Sequence, residues 1–122
     1  MAQGGRIYQK ASFSPGTVIF NQGDDATRAF IIESGEVEIF TGQGGEKVVR
    51  ATLHDNALFG EFALIDKGKR SASAVATKDT TCLVLLQYDF DKVLDKTDPF
   101  LKRLIELLIS RVRKTNEIEK HV

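Results

Sequence analysis

From residue 7 to residue 87, short apolar or alternating runs are interrupted every few positions by Gly, Asp, Asn or Pro. That spacing is too tight for helices and suits strands joined by turns. Strands are predicted at 7–13, 17–20, 29–33, 37–41, 48–53, 71–76 and 81–87, with a weaker one near Leu58. Their number suits a sandwich or jelly roll. The turns have identifiable chemistry. In Ser14-Pro15-Gly16, Pro presets the backbone angle and Gly accepts the left-handed one. Gln22-Gly23-Asp24-Asp25, Glu33-Ser34-Gly35-Glu36 and Gly42-Gln43-Gly44-Gly45 follow. The last lacks the Gly-Lys-Ser/Thr ending of a P-loop and joins two strands, so it reads as a hairpin turn.

The pattern changes after Gln87. Residues 89–96 are predicted to form a short helix, and Asp98-Pro99 supplies an N-cap followed by proline at the first helical position. In the longer helix that follows, Leu101, Leu104, Ile105, Leu108 and Val112 recur at three-to-four spacing. Leu107 and Ile109 widen this stripe beyond what one small sheet need cover, so something else is expected to pack there. Arg111, Arg113, Lys114, Lys120 and His121 crowd the C-terminal part, where positive charge complements the helix dipole. No Gly or Pro divides this helix into a second unit. Residues 1–122 therefore read as one domain, with a β region over about 7–87 and helices over about 89–121.

A domain of 122 residues can bury roughly two-thirds of its unfolded surface without cross-links. Lys plus Arg total 17 and Asp plus Glu total 17, so no net field draws the whole domain to nucleic acid or anionic lipid. Any anion must be bound locally. Cys82, within Thr81-Cys82-Leu83-Val84-Leu85-Leu86, reads as a small buried hydrophobe. Met1-Ala2-Gln3-Gly4-Gly5-Arg6 leads into polar residues rather than a signal-peptide core, and no run reaches membrane-spanning length. The expected location is the cytoplasm. His54 and His121 are far apart in sequence, which excludes a histidine-clustered metal jelly roll. No nucleophile and base occur in a recognisable catalytic context, and an enzyme is not expected.

Chemistry concentrates between Phe59 and Ala72. In Phe59-Gly60-Glu61-Phe62-Ala63-Leu64 the alternation stops, and residues 61–64 suit one helical turn. The unpaired N–H groups of Phe62 and Ala63 at the start of such a turn favour an anion. Nine positions beyond Glu61, Arg70 offers a planar fork matched to two phosphate oxygens, and Ser71 adds a hydroxyl. Glu61 accepts hydrogen bonds only, so its natural partner is a hydroxyl such as that of a ribose. Spacing alone equally allows Glu61 and Arg70 to pair with each other across the loop.

These residues, with Arg70-Ser71-Ala72-Ser73-Ala74-Val75-Ala76, resemble the phosphate-binding cassette of cyclic nucleotide-binding domains of the catabolite activator protein and protein kinase A regulatory subunit type. The stretch from Ile19-Phe20-Asn21-Gln22-Gly23-Asp24 to Ile32-Glu33-Ser34-Gly35 is similar to the family's first glycine-bearing motif. Phe20 and Ala29 stand where other apolar residues are usual. The likeness runs from about Phe13 to the C-terminal helix. It implies an eight-stranded jelly-roll β-barrel with a short cassette helix and C-terminal helices.

By that resemblance Gly60 permits close backbone approach, Glu61 holds the ribose 2′-hydroxyl, and Arg70 binds exocyclic phosphate oxygens. The amides of Phe62, Ala63 and Ser71 complete the phosphate cage, and Ala72 belongs to the same ligand-binding set. Ser71 in an Arg-Ser-Ala sequence inclines the reading to cyclic AMP, with cyclic GMP as the other ligand; no metal or further cofactor is implied. Val48, Val49, Ala51, Val75 and Leu86 are candidates to line the purine, although alternating apolar residues are also ordinary core. The C-terminal helix resembles the family's lid and dimerisation helix.

The expected function is that of a non-enzymatic sensor whose C-terminal helix passes ligand occupancy to a protein partner or a second copy. The alternative is a ligand-independent interaction module with a vestigial pocket. Direct DNA binding is not expected, because the sequence to Val122 leaves no room for a helix-turn-helix, and Arg111, Arg113 and Lys114 form too small a basic cluster.

Overall fold

The computed structural model describes residues 8–64 and 68–120, without the side chains of Phe62, Ala63 and residues 112–120. The expected strand start at Ile7, the segment 1–6 and His121 lie outside the described residues, as do the side chains of Val112, Arg113, Lys114 and Lys120. The strands are β1 (Tyr8–Phe13), β2 (Val18–Phe20), β3 (Arg28–Ser34), β4 (Val37–Thr41), β5 (Val48–Leu53), β6 (Leu58–Phe59), β7 (Ser73–Ala76) and β8 (Thr80–Leu86). They form two antiparallel sheets, ordered β1-β8-β3-β6 and β2-β7-β4-β5. The two sheets stay separate, so the architecture is a mainly-β sandwich and not the closed barrel expected.

Strand alternation builds the core. In β8, Thr80, Cys82 and Val84 are buried while the residues between them are half-exposed. Phe30 and Ile32 of β3, Val37 of β4, Phe59 of β6 and Ala74 of β7 meet Cys82 and Val84 in one cluster. Burying Ile32 and Val37 contributes about 2 to 3 kcal/mol each. Phe30 stacks on Phe59 with ring centroids 5.0 Å apart, and Phe20 leans on both at 5.9 and 6.1 Å. Cys82 is fully buried, which pushes its thiol pKa up to about 11.

The element boundaries differ from expectation in two informative places. β7 begins at Ser73 rather than at Ser71, because the chain around Arg70 is hydrogen-bonded to the turn after β2 instead of to a sheet strand. Ser73 itself is buried, its hydroxyl accepting from the Gln22 amide at 2.8 Å. β8 stops at Leu86 and helix α1 (Gln87–Asp95) begins at once. The Gln87 amide donates to the Thr27 carbonyl, just outside β3, where the ladder ends.

Helix α2 (Pro99–Lys120) starts as expected, with Asp98 accepting from the Phe100 amide at 2.9 Å and Pro99 in the first turn. Its apolar stripe is largely uncovered: Phe100 is 75% exposed, and Leu101, Leu104, Leu107 and Leu108 are each exposed by about half or somewhat less.

Gly35, in the turn joining β3 to β4, has φ +125°, and a Cβ there would lie 2.4 Å from Thr80 Oγ1 and 2.7 Å from the Asp79 carbonyl oxygen. Backbone cannot yield as a flexible side-chain tip can. Gly35→Ala should therefore cost at least about 2 kcal/mol and lower the melting temperature by roughly 8 °C or more. A thermal scan in which the variant melts with the parent would contradict this packing.

Candidate functional site

The chain leaves β6 at Phe59, turns at Gly60 and enters a single 3-10 turn at Glu61–Leu64. Gly60 has φ +70°, and a Cβ there would sit 2.8 Å from Arg70 Nη1 and 3.4 Å from the rings of Phe20 and Phe30. Glycine is thus required on two counts, backbone angle and space. In this structure the space beside Gly60 is taken by the arginine and two rings.

The returning limb of this loop is stitched to the turn between β2 and β3. Arg70 donates its amide to the Asp24 carbonyl at 2.7 Å and accepts from the Gly23 amide at 2.9 Å, while the Ala26 amide donates to Gly68. An isolated bridge and an exposed ion pair between Asp25 and Lys69 continue the same seam. The turn holds its own shape because Asp24 Oδ2 accepts from the Asn21 amide. Two segments separated by more than forty residues in sequence therefore fix the Arg70 backbone jointly.

The Arg70 side chain points inward and is only 8% exposed. Nη1 donates to the Gly60 carbonyl at 3.1 Å and Nη2 to the Arg28 carbonyl at 2.7 Å, and the guanidinium lies 3.9 Å from the centre of the Phe20 ring. Of its five N–H donors two are satisfied by these carbonyls, and buried Nε has no protein partner. Among the described residues no carboxylate lies within salt-bridge distance of it. Burial, followed by the neighbouring Arg28 charge, pushes its pKa below the ordinary value, while Asp24 and Glu61 pull the other way. A guanidinium stays protonated throughout the physiological range. The result is a buried, permanent cation with which no carboxylate of the described residues pairs directly; burial disfavours its charge, and Asp24 and Glu61 offset that only in part.

Glu61 is half-buried and close enough to favour the Arg70 charge, yet it forms no ion pair with Arg70 among the described residues. The two groups flank the same turn without neutralising each other. Ser71 is exposed and Ala72 half-buried, both in the bend leading into β7. Phe62 and Ala63 lie in the 3-10 turn, where their backbone amides belong to its opening. Of the candidate purine-lining residues, Val75 alternates with fully buried Ala74 and Ala76 and so faces the outside of its sheet. Ala51 and Leu86 are half-buried; Val48 and Val49 are about half exposed, at the end of β5 beyond a bulge.

Sequence reasoning missed Phe20 as more than a core residue, the Arg28 carbonyl, and the seam to Gly23 and Asp24. An aromatic at a position usually held by another apolar residue was the available signal for Phe20. Arg70 also lines a cleft of about 340 Å³ with Phe13, Phe20, Phe30, Asp24 and Arg28, a volume in the range of small-ligand sites.

Comparison with known proteins places this geometry. Residues 10–97 match the model of the cyclic nucleotide-binding domain. The cyclic AMP receptor protein of Thermus thermophilus is 36% identical over 110 residues, covering 89% of this chain and 51% of that protein. A cAMP-dependent protein kinase regulatory subunit of Colletotrichum orbiculare is 33% identical over 91 residues, or 75% of this chain and 23% of its own length. The chain thus spans about half, or less, of these relatives. Solved structures of the EAL enzyme Bd1971 in cAMP-bound and cGMP-bound forms superpose with a TM-score of 0.70 each, at 30% and 29% identity, covering 91% and 89% of this chain and 30% and 29% of theirs. A loop closed by Gly60, a turn opened by Glu61 and an inward cation at Arg70 are thus set in a framework whose family is shown by the match over most of its length: the chain belongs to the cyclic nucleotide-binding domain family.

Proposed function

We propose that this chain binds a cyclic nucleoside monophosphate in the loop between β6 and β7. The observation that carries the reading is the buried Arg70 guanidinium, fixed by two carbonyls and a ring, with donors to spare and no carboxylate partner among the described residues. A cyclic phosphodiester supplies one negative charge and exocyclic oxygens that match the guanidinium fork. Glu61, uncommitted to Arg70, accepts from the ribose 2′-hydroxyl; Gly60 lets the Arg70 guanidinium lie close against the turn, and the amides of Phe62, Ala63 and Ser71, beside Ala72, complete the phosphate contacts. Cyclic AMP is the preferred ligand on the Arg70-Ser71-Ala72 sequence and on the likeness to the cyclic AMP receptor protein. Cyclic GMP is the second candidate, since one related domain is known in both bound forms.

The role is sensing rather than catalysis, carried out in the cytoplasm by residues 1–122 acting as one unit. Among the described residues no group of His, Cys, Asp and Glu is arranged to hold a metal, and no helix is long and apolar enough to cross a membrane. The exposed stripe of Phe100, Leu101, Leu104, Leu107 and Leu108 is the output surface, on which a protein partner or a second copy docks. Ligand shifts that docking only by its differential affinity for the two arrangements. The same stripe supports a second reading, an interaction module that docks without ligand.

Thermal melting separates the two readings. Cyclic AMP at about a hundred times its dissociation constant should stabilise the protein by about 2.7 kcal/mol, with linear AMP giving a much smaller shift. Melting curves that fail to move with cyclic AMP or cyclic GMP at any concentration favour the ligand-free module. In titration calorimetry, Arg70→Ala should weaken binding by roughly 2 to 5 kcal/mol, about thirty-fold to several-thousand-fold. Equal affinity for variant and parent would remove Arg70 from the site.

A further inference from the structure

Resting on the nucleotide-binding reading above, we infer that Phe20 of β2 is a positioning residue of the anion site, setting the plane of the Arg70 guanidinium by lying against its face. Three observations converge on it. The guanidinium carbon is 3.9 Å from the Phe20 ring centre but 6.0 Å from that of Phe30, so one ring provides the closest stacking surface. The ring is itself held at centroid distances of 5.9 and 6.1 Å by Phe30 and Phe59, two buried members of the core. The β2–β7 register slips between Val18 and Phe20, a backbone irregularity of the kind that re-aims a side chain.

Each contact constrains a different freedom of the arginine. The carbonyls of Gly60 and Arg28 fix where Nη1 and Nη2 lie, but a guanidinium can still rock about the line joining its two anchors. Contact with a ring face removes that motion, and the attraction between cation and ring is strongest in a desolvated setting such as this. A small residue at position 60 lets ring and cation meet, since a Cβ there would crowd Arg70 Nη1 and Phe20 Cε2 together. Phe20 therefore acts through Arg70 and need not touch the ligand.

The test is a double-mutant cycle read with cyclic AMP by titration calorimetry, on proteins shown by thermal melting to be folded. Phe20→Leu keeps an apolar side chain and removes the ring face; Phe20→Met serves if the leucine variant does not fold. The expected loss is about three- to thirty-fold in affinity with Arg70 present and less than about twofold in an Arg70→Gln background. A loss under about twofold with Arg70 present, or the same loss in both backgrounds, overturns the inference while leaving nucleotide binding intact. A ligand-independent arm distinguishes the two failures: the Arg70 Nε–H proton should resonate upfield of an ordinary arginine because of the Phe20 ring current, and return toward the ordinary position in Phe20→Leu. If that resonance is already ordinary in the parent, or does not move in the variant, the positioning role is wrong whether or not cyclic AMP binds.

Discussion

One interaction organises this molecule: a permanent positive charge lies inside a β-sandwich with no carboxylate of the described residues within ion-pair distance. Carbonyl oxygens of Gly60 and Arg28 and the face of Phe20 orient the Arg70 guanidinium without cancelling its charge. A carboxylate at the same place would make a more stable resting protein and a poorer anion receptor, because the ligand would then have to displace an ion pair. Dipoles and a ring give direction, and the charges of Asp24 and Glu61 offset the cost of burial only in part.

The surrounding fold holds this charge in place from two directions. The aromatic cluster of Phe20, Phe30 and Phe59 forms the wall against which the side chain rests, and it is continuous with the core that joins the sheets. The main chain of the same residue is bonded to Gly23 and Asp24, in a turn whose shape is set by its own Asp24 side chain. Position and orientation thus come from separate segments, β2 with its following turn and the loop after β6. That division explains why two glycine-bearing stretches, distant in sequence, form one structural unit.

Much of this was legible in the amino-acid order. Turn residues at short intervals mark nearly every strand, because strands of half-buried sheets must alternate and turns must carry Gly, Pro, Asp or Asn. Glu61 and Arg70 stood out through charge and spacing, and the 3-10 turn at Glu61–Leu64 through the break in alternation. The closed barrel did not materialise, since closure depends on pairing between sheet edges, which no single strand's pattern encodes. The late start of β7 was equally invisible, as Ser71 and Ala72 continue the alternation while hydrogen bonding at Arg70 draws the chain elsewhere. For Val75 the alternation was present, but its phase is fixed only by knowing that Ala74 and Ala76 face inward. Phe20 reads in sequence as an aromatic where another apolar residue is usual, but nothing local shows that a distant arginine folds over it.

The enclosure of Cys82 has a practical consequence. The chain has a single thiol, deep between the sheets and shifted to about pH 11 in its ionisation, so mild alkylating dyes near neutrality find almost no thiolate to attack. Any cysteine introduced on the outside becomes a unique address for a fluorophore or spin label without first deleting the native one. Labels at an exposed position of α2 and on the rim of β5 would report the separation of helix and sheet as a spectroscopic distance, measured in a protein whose interior has not been altered.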